Sequence, residues 1–467
     1  YETVFIEPAI LPHCFGPWSM GTLWRVRKKI STSMYKYFGF AFFVVSFYAC
    51  VPTYEKVHEE SLRQVDPKTI DLLRGFHGEL VRNSDDWEKW RRPEILSYYE
   101  QYVFGVRPEF EPRDFRKRMV KYNVLSVDTF YVPGVPVLHK EIKARSSRRG
   151  RHLNAYYALF LPLDVKSPIV FVGLNFFGNS TIDTLKSLTQ TKHYVMKNEG
   201  VKTKGHRVTE NSRGTKAYRW PLDIIIGNGC GLITAHYADF DPDVNTGFFD
   251  GAHRLADGAI HFRKSNAWGS ISAWSWGLSE LQSYLQMEEV TRYSKTAVVG
   301  HSRLGKAALW AGALDARFDL VISNNSGCAG AAQFRTMVGE DIEKITNRFP
   351  YWFARNFQAF QGKDTLLLVD QEMLLALIAP RPLYVASANL DSWADPKGEY
   401  TSLYKTQFVY QLYYPEVQFE FNMLKKREQM EVGPLAYHLR EGDHEILAWD
   451  WEKYVAFAKK SLSSPSN

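Results

Sequence analysis

Cysteine is scarce in this chain: four among 467 residues, Cys14, Cys50, Cys230 and Cys328, with no spacing that suits a metal. Two of the four fall in the first fifty residues. At most one pair is left for the remainder, so no obligatory disulfide, no metal site and no cofactor are expected. Long apolar runs are missing too. The most apolar stretch, Phe38 to Tyr48, is too short to span a bilayer comfortably. Charge is nearly balanced at +7, and +3 of that belongs to the first fifty residues. The remaining excess suits an anionic substrate or simply a solvated surface. No basic stripe carries base-stacking aromatics, which argues against nucleic acid. No internal repeat, low-complexity linker or second domain boundary is visible, so one large catalytic domain, acting as a monomer, is expected.

Aromatic residues are plentiful at 15%, with 13 Trp and 26 Tyr. They imply either a large core or a surface that stacks on sugar rings, and composition favours the core.

At the amino terminus, basic residues between Arg25 and Lys36 precede the apolar run, then Ala49-Cys50, then polar sequence. That order reads as a signal peptide or lipoprotein signal over 34–50. Residues 1–33, beginning at Tyr1, read as an upstream artefact or fragment, with Met34 the start. Phe-Tyr-Ala-Cys resembles a lipoprotein cleavage site, which would place a lipid anchor on Cys50. Either outcome exports the protein: secreted, periplasmic or anchored at the cell surface.

Residues 51–112 read as a helical lead-in, with Ser84-Asp85-Asp86 capping a helix from Trp87 to Val103. The main folded domain then runs over 113–467. VLSVDTFYV, VLHKEIKARS and HLNAYYALFLP look like antiparallel strands. IVFVGLNF (169–176), LITAHY (232–237), LVISNN (320–325) and PLYVASA (382–388) read as buried strands, with a helix over Ile271 to Gln286. A polar loop rich in Lys, Arg and Gly, Thr189 to Tyr218, is expected over the sheet edge. Strands alternating with helices argue an α/β fold, a doubly wound and mostly parallel sheet with helices on both faces.

Thr296 to Leu314, TAVVGHSRLGKAALWAGAL, carries the chemistry. An apolar β-branched run stops at Gly300, Ser302 sits at the apex, and a helical pattern begins at once. This is the context of a nucleophile elbow, although Gly305 falls one place later than in G-x-S-x-G. A serine hydroxyl needs an imidazole to take its proton and a carboxylate to orient that imidazole. In an α/β-hydrolase they follow in the order Ser, Asp/Glu, His, and here His444 lies in the loop before the last helix. Asp391 and Asp395 both lie in the acid loop. Asp391 is nearer its strand's end, while Asp395 precedes Pro396 and suits a turn. His301 is expected to pack under the elbow. Oxyanion donors are expected from the Arg303 N–H and from the loop Phe177-Gly178-Asn179, with the Arg303 guanidinium as a further candidate.

Gly-His-Ser-Arg-Leu-Gly-Lys, SNNSGCAGAA, Gly339-Glu340, FPYWF and ASANLDSWADPKGE resemble the glucuronoyl esterases, carbohydrate esterase family fifteen, in its bacterial branch. WEKWRRPEIL, GLNFFGNST, RGTKAYRWP and SAWSWGLSELQSYL extend the likeness from about Trp87 to the final helix. The resemblance implies an α/β-hydrolase fold and a carboxylic ester hydrolase cleaving esters between 4-O-methyl-glucuronic acid on xylan and lignin alcohols. It implies Ser302 as nucleophile, His444 as base and Arg303 at the oxyanion. It also implies substrate contacts from Lys306, Glu340 and Trp393. In some relatives the acid follows the strand after the nucleophile; that position is Asn325 here, which favours Asp391. Two departures stand out: His301 stands where fungal members carry cysteine, and QFRTMVGE lacks the paired arginines expected before the glutamate. An acetyl-xylan esterase or general carboxylesterase shares the same triad, and a glycan-binding surface protein that has lost catalysis is the reading of another class.

Overall fold

The computed structural model describes residues 71–108, 119–148, 150–256, 263–336 and 338–463. The expected signal segment, the Cys50 anchor and the upstream fragment lie outside the described residues.

Helix α1 is continuous but not uniform: Ser84–Asp86 is α, Trp87–Arg91 is π, and Arg92–Tyr102 is α again. Its cap is Asn83, whose side chain accepts the Asp86 N–H, and not the Ser84-Asp85-Asp86 run expected from sequence. Asn83 has the extended backbone that a cap needs, whereas Ser84 is already helical. The π turn seats Trp87 and Arg91 inward, both buried.

Among the described residues twelve strands follow: β1 Met119–Val132, β2 Val135–Arg148, β3 Arg151–Pro162, β4 Val170–Asn175, β5 Thr203–Lys204, β6 Arg207–Val208, β7 Gly231–His236, β8 Thr296–His301, β9 Leu320–Asn324, β10 Leu383–Ala388, β11 Glu428–Val432 and β12 Leu435–Arg440. Ten of them form one sheet in the order β1-β2-β3-β7-β4-β8-β9-β10-β12-β11, and β5 and β6 pair separately. β1 to β3 are antiparallel, as their patterns suggest, and β3 meets β7 antiparallel. From β7 through β4, β8, β9 and β10 to β12 every pairing is parallel, and β11 closes the far edge antiparallel.

The parallel strands are buried along their whole length, which is why they read as unbroken apolar runs. Two hydrophobic layers cover the sheet. One contains helices α2 (Ser270–Met287) and α3 (Arg303–Leu314), tied by the Trp310 Nε1–H donating to Ser272 Oγ at 2.9 Å. The other contains Trp451 and Tyr454 from the last helix. Two further helices lie near the site, α4 Ile342–Arg348 and α5 Pro396–Tyr410, and the chain closes with α6, Ala448–Leu462. This is the doubly wound α/β-hydrolase architecture. The described residues fall in one compact unit.

Trp87, Trp268, Trp274, Trp310 and Trp451 are all fully buried, so most of the aromatic excess is core. Cys230 and Cys328 are both buried free thiols.

Candidate active site

The carboxyl ends of β8, β9, β10 and β12 converge on one cleft, where loops leave a parallel sheet. Ser302 follows β8 with φ 58° and ψ −130°, a strained conformation that turns its Oγ out of the sheet. A Cβ on Gly300 would lie 1.9 Å from the Leu304 carbonyl oxygen, so only glycine lets α3 start this close to β8. Gly305 is similarly crowded: a Cβ there would lie 2.9 Å from Ser326 Cβ. Its extra step along the motif places it against the loop after β9.

His444 Nε2 lies 2.8 Å from Ser302 Oγ, and His444 Nδ1 lies 2.5 Å from Asp391 Oδ2. The triad is therefore assembled through Asp391. Asp395 is occupied elsewhere: it caps α5 by accepting the Gly398 N–H and takes the Thr336 hydroxyl at 2.8 Å. Burial opposes ionisation of Asp391. Hydrogen bonds from His444, Asn325 and the Ala394 N–H outweigh that and hold its carboxyl below the ordinary aspartate value.

Asn325 cannot be the acid, yet it serves the acid. In the left-handed region at φ 46°, its Nδ2 donates to Asp391 Oδ2 at 2.7 Å. His301 packs beneath the elbow as expected, 2.6 Å from Asn324 Oδ1 through Nδ1 and 4.7 Å from the His444 ring. Burial, helped by the His444 charge, pushes its pKa well below 6.5, so the ring is neutral. The buried Arg440 grips both carbonyls flanking His444, Asp443 at 2.6 Å and Glu445 at 2.9 Å. Arg219 pairs with Glu445 at 2.6 Å from the other side. The base is thus fixed at its backbone as well as through Asp391.

Arg303 is the first residue of α3, where a backbone N–H has no acceptor within the helix and faces the region beside Ser302. Of the expected loop Phe177-Gly178-Asn179, one donor is already used. The Gly178 N–H is taken by Asn175 Oδ1 at 2.7 Å, because Asn175 turns back to close that loop. The Arg303 guanidinium supplies a second positive group instead. It donates to Asp243 and lies over Trp352 at 4.6 Å and Phe349 at 5.2 Å, rings that stack 3.8 Å apart. Burial lowers the guanidinium pKa and the Asp243 charge more than restores it, so the cation is secure.

Asp243 was not singled out by sequence beyond its acidic loop, Asp239 to Asp243. It also accepts from the Tyr237 hydroxyl at 3.0 Å, the Tyr351 hydroxyl at 2.9 Å and Trp352 Nε1 at 2.8 Å. One carboxylate from the loop after β7 thereby orders the whole arginine cage. The signal available was its place in the acidic loop that follows a buried parallel strand.

The cleft has a volume of about 200 Å³ and is lined by Ser302, Arg303, Lys306, Glu340, Trp352, Trp393 and His444 among others. Two other grooves, one at Leu72 and Phe408, the other at His77 and Trp90, share no residue with the triad. Lys306 is almost fully buried. Its ammonium donates to the carbonyls of Ser326 at 2.5 Å and Cys328 at 2.6 Å, and Glu340 lies 3.6 Å away. The Glu340 N–H donates to the Trp393 carbonyl at 3.0 Å, which ties these two substrate candidates together. Trp393 is 47% exposed, an aromatic face open to the cleft mouth. Glu399, fully buried beneath the cleft, accepts the Gly327 N–H at 2.9 Å and the hydroxyls of Ser326 and Ser387. Burial pushes its carboxyl up to about 7.

A prokaryotic protein named "Carbohydrate esterase MZ0003" is 34% identical over 404 residues, covering 86% of this chain and 91% of the relative. The chain belongs to the glucuronoyl esterases, carbohydrate esterase family 15. A family model described as "Glucuronyl esterase, fungi" matches residues 253–413. A solved glucuronoyl esterase from Solibacter usitatus superposes with a TM-score of 0.75 at 34% identity, covering 84% of this chain and 97% of the other. The 4-O-methyl-glucuronoyl methylesterase of Hypocrea jecorina is 32% identical over 210 residues, 41% of this chain and 44% of that relative.

Proposed function

We propose that this protein hydrolyses esters of glucuronic acid, including its 4-O-methyl form on xylan esterified to lignin alcohols, through an acyl-enzyme intermediate. The observation that carries this is the hydrogen-bonded chain Ser302–His444–Asp391 opening onto a cleft whose far side is Lys306, Glu340 and Trp393. The relatives' names point the same way.

In the reaction, Ser302 Oγ attacks the ester carbonyl while His444 Nε2 takes its proton. The negative charge that develops on the carbonyl oxygen meets the Arg303 N–H and guanidinium. His444 returns the proton to the departing alcohol, and the uronate remains as an ester on Ser302. Water, deprotonated by the same imidazole, then releases the acid. Asp391 stays ionised throughout and stabilises the imidazolium. Lys306 and Glu340 offer a cation and a carboxylate to sugar hydroxyls, and Trp393 offers a stacking face.

This reading includes export, supported by the basic and apolar order of residues 25–48, and one esterase domain working as a monomer. Benzyl glucuronate tests the activity: wild type should cleave it, and Ser302→Ala should lose at least about 10⁴ of kcat. Far faster release of acetate from acetylated xylan would favour an acetyl esterase. Binding of glucuronoxylan without any ester cleavage would favour a glycan-binding protein.

A further inference from the structure

The segment expected to lie over the sheet edge, 189–218, holds a cluster of charge that the triad does not use. Lys192, Lys197, Lys202, Lys204 and Arg207 are all exposed, and none meets a carboxylate among the described residues. Its centre is the hairpin β5–β6. Gly205 and His206, at φ 57° and 59°, form the two-residue turn that tight hairpins favour. That turn places Lys204 directly opposite Arg207. Like charges in directly opposed positions destabilise a strand pair. Neither residue has an ion-pair partner among the described residues, and an anion from outside would relieve the conflict.

The tip is held firmly all the same. The His206 ring stacks on Tyr194 at 4.7 Å, and its carbonyl accepts the Val195 N–H at 2.8 Å. The next residue, Met196, touches the Arg303 guanidinium through its sulfur at 3.6 Å. The other end of the segment reaches the base loop, where the Tyr218 hydroxyl donates to Glu445 at 3.1 Å. The charged hairpin is therefore attached to the rim of the cleft at two points.

We propose that this hairpin and its flanking lysines dock an acidic polysaccharide: the free uronate carboxylates neighbouring the esterified uronate that enters the cleft. The inference rests on the glucuronoyl ester reading, and it adds a polymer-binding surface to it. The ester being cleaved is neutral, whereas unesterified uronates on the same chain are anionic. A basic surface beside a site for a neutral group therefore recruits the polymer without holding the reacting sugar.

The test uses partly benzyl-esterified glucuronoxylan and free benzyl glucuronate, with wild type and the double variant Lys204→Gln/Arg207→Gln. On the polymer at low salt, KM should rise about tenfold in the variant with kcat unchanged. In about 1 M salt, where screening acts within roughly 3 Å, the two proteins should converge. Kinetics on benzyl glucuronate should not differ. An unchanged polymer KM at low salt, or an equal rise on the small ester, would overturn the proposal. Binding of unesterified glucuronoxylan to Ser302→Ala, with and without the hairpin changes, gives a second readout independent of turnover. Equal binding of both proteins, or equal binding of an uncharged xylan, would also overturn it. Failure to cleave benzyl glucuronate would instead count against the ester reading and leave this binding result to decide the docking surface.

Discussion

The chemical half and the recognition half of this cleft are supported differently. Ser302, Asp391 and His444 each hang from the end of a parallel strand, β8, β10 and β12, and their spacing is set by the sheet. Arg303, Lys306, Glu340 and Trp393 depend on partners from irregular segments: Asp243, the carbonyls after β9, and the aromatic run Phe349 to Trp352. Chemistry needs placement within fractions of an ångström, which a buried sheet provides. Recognition needs a shape that differs among substrates, which loops provide.

Breaking the loop-borne half should therefore leave the triad geometry intact while removing transition-state stabilisation. The largest such effect belongs to Asp243→Asn, which frees the Arg303 guanidinium and loosens Tyr351 and Trp352. We expect kcat/KM on benzyl glucuronate to fall about 10²-fold, mostly in kcat. Asn325→Ala touches the sheet-borne half more gently by removing one donor to Asp391. A hydrogen bond to a charged group of this kind predicts roughly a tenfold loss in kcat with KM held. Trp393→Ala should raise KM only a few-fold and spare kcat, as loss of one stacking face from an exposed site.

The same contrast explains what could be read before folding. The strands, the elbow and the order Ser, Asp, His were legible because apolar runs and a glycine-flanked serine are local signals. Asp391 was already preferred to Asp395 for its place nearer the strand end, and what the fold adds is that Asp395 is spent on the α5 cap. Asn325 was legible as a lost acid but not as the donor that sustains the acid. Asp243 was illegible because its partners Arg303, Tyr351 and Trp352 lie far along the chain. Within the expected oxyanion loop Phe177-Gly178-Asn179, the loss of the Gly178 N–H to the returning Asn175 side chain is something no spacing reveals. The cap of α1 missed by one residue because Asn83, Ser84 and Asp85 are all competent caps and backbone angle alone decides.

The smallest expected effect concerns stability beneath the cleft. The buried Glu399 carboxyl, near 7 when folded and near 4.5 when exposed, binds its proton more tightly in the native state. Its stabilising contribution is complete below about 4.5 and is lost as pH rises through about 7. Wild type should thus lose on the order of 1–3 kcal/mol across that window from this group. In Glu399→Gln this part of the slope should vanish. Melting curves at several pH values would check it, and an unchanged slope would refute it.

The central claim is that the sheet delivers the acid through Asp391. It is tested most directly by kcat/KM on benzyl glucuronate for wild type, Asp391→Asn and Asp395→Asn side by side. The account predicts a loss of about 10³–10⁴ in Asp391→Asn. It also predicts near-wild-type turnover in Asp395→Asn, with the α5 cap kept, because Asn caps a helix about as well as Asp. Full activity in Asp391→Asn, with the loss in Asp395→Asn, would contradict it.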